Sequence, residues 1–71
     1  MTYQLPIDEK INIINGRLKN IEASRYDTQL SIDEENAVES PSTEILANHA
    51  SRLADLDARK AVLEAKLVEL S

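Results

Sequence analysis

Apolar side chains recur along this chain at alternating intervals of four and three residues, in two blocks separated by a polar stretch. Ile7, Ile11, Ile14, Leu18 and Ile21 set the first rhythm, which passes through Arg25 and Thr28 to Ile32. Leu46, His49, Leu53, Leu56, Lys60, Leu63, Leu67 and Leu70 set the second. Twelve of these sixteen positions are Ile or Leu, a density that marks a heptad seam on each of two helices. At about 1.5 Å per residue each helix is roughly 40 Å long.

Local signals divide the chain into a short lead over 1–5, a first helix over 6–33, an acidic loop over 34–40 and a second helix over 41–70, all one domain. Pro6 suits a helix start, and Asp8 and Glu9 follow it at the positive end of the helix dipole. Ser40-Pro41 reads as a cap followed by a first helical position. Ser31-Ile32-Asp33-Glu34 also matches a capping box, which allows a short separate helix from about Ile32 to Val38.

Folding the second helix back on the first predicts an antiparallel coiled-coil hairpin. A turn centred near Ala37 layers Ile11 with Leu63, Ile14 with Lys60, Leu18 with Leu56, and Arg25 with His49. The next allowed register centres the turn at Ser40-Pro41 and leaves almost no loop, so the first is preferred. The competing arrangement is one long parallel coiled coil, because Ile32, Glu39 and Leu46 keep the heptad phase across the loop. It matches opposite charges better, whereas the hairpin brings Lys10 and Arg17 towards Lys66 and Arg59. Exposed like-charge contacts cost only tenths of a kcal/mol, while Pro41 inside a helix costs on the order of 3 kcal/mol. The hairpin is favoured.

A second, weaker stripe runs round the back of each helix. Ala47, Ala50, Ala54, Ala61, Ala65 and Val68 recur on the second, and Leu5, Ala23, Tyr26, Leu30 and Ala37 cluster on the first. Alanine is the best helix former, which alone accounts for much of the row. A lone pair of helices nevertheless has little core, so the expectation is an all-α homo-oligomer, most simply a dimer forming a four-helix bundle through the alanine row.

Charge and composition then narrow the function. Thirteen acidic against eight basic residues give a formal charge of -5, which speaks against direct nucleic-acid binding. There is no cysteine and one histidine, excluding a disulfide framework, a thiolate nucleophile and a multi-histidine metal site within one chain. No apolar run spans a membrane and no signal-peptide pattern opens the chain, which points to a cytoplasmic protein away from membranes. The only glycine is Gly16, within the first helix and read as tolerated on its surface, so no phosphate-cradling loop exists. No catalytic pattern and no cofactor motif appear; the expectation is a non-enzyme.

Two polar features remain. Arg25 and Thr28 interrupt the first seam opposite His49, and a buried arginine there needs an acid, with Glu22 or Asp27 nearest. Such a layer most often sets register. Its functional counterpart is an inter-chain pocket for a nucleotide-like anion at Arg25, Tyr26 and His49; a metal bound by His49 with its symmetry mate is remote. Lys60, in the other gap, is expected to snorkel past Ile14 to solvent. The acidic run Asp33, Glu34, Glu35 and Glu39 is ordinarily a solvated loop, or else a docking point for a basic macromolecule. The leading expectation is a helical-hairpin interaction protein, and the alternative is the small-anion binder.

Overall fold

The computed structural model describes residues 4–71, so residues 1–3 of the expected lead fall outside it. Two helices, α1 (Ile7–Ala37) and α2 (Thr43–Leu70), fold back on each other, and no strand occurs among the described residues. The molecule is a rod of 60 × 22 × 15 Å, and the continuous parallel coil is not formed.

Both seams are in place. Every α2 position of the 3–4 rhythm, from Leu46 to Leu70, is at least half-buried, as are Ile11 to Ile32 on α1, whereas Ile7 at the open end is 55% exposed. The most covered side chains are Ile21, Thr28 and Leu56, at mid-rod. Thr28 satisfies its hydroxyl without leaving the helix, donating to the Ser24 carbonyl at 2.8 Å. A polar seam residue is thereby accommodated with no orphaned group.

The turn lies further along the chain than the acidic stretch suggests. α1 runs through Asp33, Glu34 and Glu35 to Ala37, leaving only residues 38–42 as the connection. Polarity misleads here because Glu and Ala are strong helix formers and no Gly or Pro lies between Gly16 and Pro41. No separate helix forms over Ile32–Val38. The second helix is capped two residues later than Ser40-Pro41 implies, since the Ser42 Oγ accepts from the Ile45 amide at 3.2 Å. Pro41 sits before the cap, and Pro6 likewise precedes its helix, its carbonyl accepting from Lys10 N at 3.1 Å. Glu35 ties the turn together: its carboxylate accepts from the Ser42 amide at 3.1 Å.

Extending α1 moves the register by one heptad. Arg25 pairs with Asp57 and Lys60 with Glu22, contacts that the register centred on Ala37 forbids. Arg25 therefore layers near Leu56 and does not face His49, and Ile14 does not face Lys60. The disfavoured short-turn register is the observed one, with five residues sufficing for the connection.

Candidate functional site

The interruptions in the two seams meet at mid-rod as one ionic cluster. The Arg25 guanidinium lies 2.9 Å from Asp57 Oδ1 through Nε and 3.8 Å from Glu22 Oε2 through Nη1. Glu22 also holds the Lys60 ammonium at 3.0 Å. The Arg25 Nε is buried, yet its N–H is not aimed at the carboxylate, so this contact is coulombic and not a directed hydrogen bond. Lys60 does not snorkel past Ile14; it reaches the adjacent acid. The Lys60 ammonium, by hydrogen bond and by charge, holds the Glu22 carboxyl below its ordinary value against an opposing loss of hydration, and the charge of Arg25 adds the least.

Glu22 is one of the two acids that the sequence offers to Arg25, and Asp27 is not used. Asp57 is not among those offered. Its signal is its place beside Leu56, which becomes informative only once the register is known.

Arg25 and Tyr26 line one shallow groove with Glu22, Gln29 and Leu53, and Tyr26 is 69% exposed. His49 does not line it and stands half-buried elsewhere on α2. Of the three residues read as an anion pocket, two come together, and the guanidinium among them already has two carboxylates. Among the described residues no group of three His, Asp or Glu side chains converges for a metal.

The turn end carries the acidic run. Asp33, Glu34 and Glu39 are exposed, with Asp33 accepting from the Gln29 amide at 3.2 Å. Glu35 is half-buried and engaged with Ser42. Between Tyr26 and Ser51 the chain has six acids and no Lys or Arg. Six of the eight Lys and Arg residues lie in the half of the rod away from the turn, while Arg25 and Arg52 stand just on the turn side of mid-rod.

The alanine row faces outward: Ala47, Ala50, Ala54, Ala61 and Ala65 are exposed and Val68 is 74% exposed. Gly16 also faces open space, since an added Cβ would meet nothing within 4 Å. No helix among the described residues is long and apolar enough to cross a membrane. No protein-family model, curated protein or solved structure matches the chain.

Proposed function

We propose that this protein is a non-enzymatic interaction module, a helical hairpin that works as a homo-oligomer and presents an acidic turn to a macromolecular partner bearing basic charge. The simplest assembly is a dimer of hairpins forming a four-helix bundle. The observation carrying this reading is the unfinished burial of the single chain. Its accessible surface is 5637 Å², against roughly 4,400 Å² for a compact monomer of this mass. The excess is larger than the roughly 800 Å² that each partner contributes to a standard interface. The radius of gyration, 16.8 Å, likewise exceeds the roughly 11 Å of a globular domain this long.

Sedimentation equilibrium tests the assembly. Twice the 7.9 kDa chain mass is expected at micromolar concentration, and a folded monomer throughout would overturn the reading. Partner binding is tested with Glu34→Gln/Glu39→Gln, which neutralises the turn and spares the Glu35 clamp. Binding to a basic partner should weaken, and unchanged binding would remove the turn from the proposal.

A further inference from the structure

Antiparallel folding collects side chains that recur every seventh residue onto one broad face of the rod. Lys10 and Arg17 on α1 join Arg52, Arg59 and Lys66 on α2, so five of the eight Lys and Arg residues share this face. The structure shows four of them meeting in pairs. Arg17 and Arg59 flank a groove floored by Ile21 and Leu63. Lys10 and Lys66 flank another, floored by Ile14 and Leu70. Among the described residues only Lys66 of these five has a carboxylate partner, Glu69 at 3.4 Å. Exposed Ile13 and Val62 lie beside the cations.

The same rows continue towards the turn with opposite character. The row of Ile13 and Asn20 reaches Asp27 and Glu34 at seven-residue steps. The row of Lys66, Arg59 and Arg52 ends at Ile45, and that of Lys10 and Arg17 passes Ser24 and Ser31 to Val38. Ile45 and Val38 are 42% and 50% exposed. Arg52 stands on the turn side of mid-rod, so Lys10, Arg17, Arg59 and Lys66 make one half of this face cationic and apolar, and Asp27 and Glu34 outnumber Arg52 in the other, equally apolar half.

We infer that two copies pair antiparallel across this face, the cationic half of each lying on the anionic half of the other. The inference rests on the homo-oligomer reading and assigns its interface, leaving the alanine row on the outside. With full overlap the two-fold axis passes beside Ser24. Arg17 and Lys10 stand about 10 and 21 Å from it along α1, and Glu34 and Val38 about 15 and 21 Å on the other side. Two-fold symmetry makes every such meeting occur twice. Parallel pairing would instead stack five cations on five. The face measures about 60 by 22 Å, ample for the roughly 800 Å² that a standard interface takes from each partner. A polyanion would meet the same cations together with the repulsion of the adjacent acidic half, which a second copy does not suffer.

The test uses the full chain, which has no native cysteine. Ser24→Cys, beside the axis, should form a disulfide-linked dimer under mild oxidation, and Ala54→Cys, on the alanine row, should not. Arg17→Glu/Arg59→Glu should weaken dimerisation about tenfold or more while circular dichroism stays helical. Adding Asp27→Arg/Glu34→Arg to that variant should restore it. Cross-linking at Ala54 alone, or a dimer indifferent to the charge reversal, overturns this pairing and leaves the homo-oligomer reading standing. A wild type that stays monomeric at about 100 µM removes both.

Discussion

At the scale of single residues, the ionic cluster decides how the two helices align. Glu22, Arg25, Asp57 and Lys60 are between about one-third and just over one-half exposed, so each pair contributes little to stability by itself. Their effect is to discriminate. Sliding α2 by one heptad would set Lys60 beside Ile14 and Arg25 beside His49, and both cations would lose their acids across the helix pair. A pH dependence follows from Glu22. Its folded carboxyl titrates below the ordinary value of 4.5, so its contribution is fully present above that range and is lost as pH falls through the folded value. Between about pH 5 and pH 3 the urea midpoint of the wild type should therefore fall more steeply than that of Glu22→Gln. Parallel curves for the two proteins would show that the Lys60 contact carries no linkage.

At the scale of the helices, the two seams were legible residue by residue because the 3–4 rhythm of Ile and Leu has no other physical source. The end of α1 was not. Asp33, Glu34, Glu35 and Asn36 together look like a solvated loop, although none of them breaks a helix; what stops α1 is Pro41 and the extended bias it imposes on Ser40. Register was illegible for a different reason. A heptad pattern matches itself after every seven residues, so burial alone fits both alignments, and only the positions of Asp57 and Glu22 separate them. The ionic cluster was half legible for the same reason: Glu22 follows from spacing on its own helix, Asp57 only from the register. The turn also makes a prediction. Ser42→Ala removes the cap on the Ile45 amide and should destabilise the fold by about 1 kcal/mol, read as a lowered thermal midpoint. Glu35→Gln keeps an oxygen that can accept from Ser42 N and should cost less than Glu35→Ala. Equal losses in the two Glu35 variants would show that the hydrogen bond across the turn is unimportant.

At the scale of the whole molecule, shape and charge act together. A rod in which Ile21 and Leu56 are the buried hydrophobic side chains among the described residues has a stability tied to whatever covers the remaining faces. Its thermal midpoint should therefore rise with protein concentration, as mass action requires when association favours the folded state. If the antiparallel pairing holds, that concentration dependence should steepen at low salt and flatten near 1 M, where the screening length drops to about 3 Å. A midpoint independent of both concentration and salt would mark the hairpin as self-sufficient. The doubling-back has one more consequence, for how such a rod can be tethered. Leu5 and Leu70 line one groove, so both ends of the described chain leave from the same tip. Anything grafted at either end would hold the acidic turn at arm's length, on the order of the rod's 60 Å, like a lamp on a stand whose foot and cable share one base.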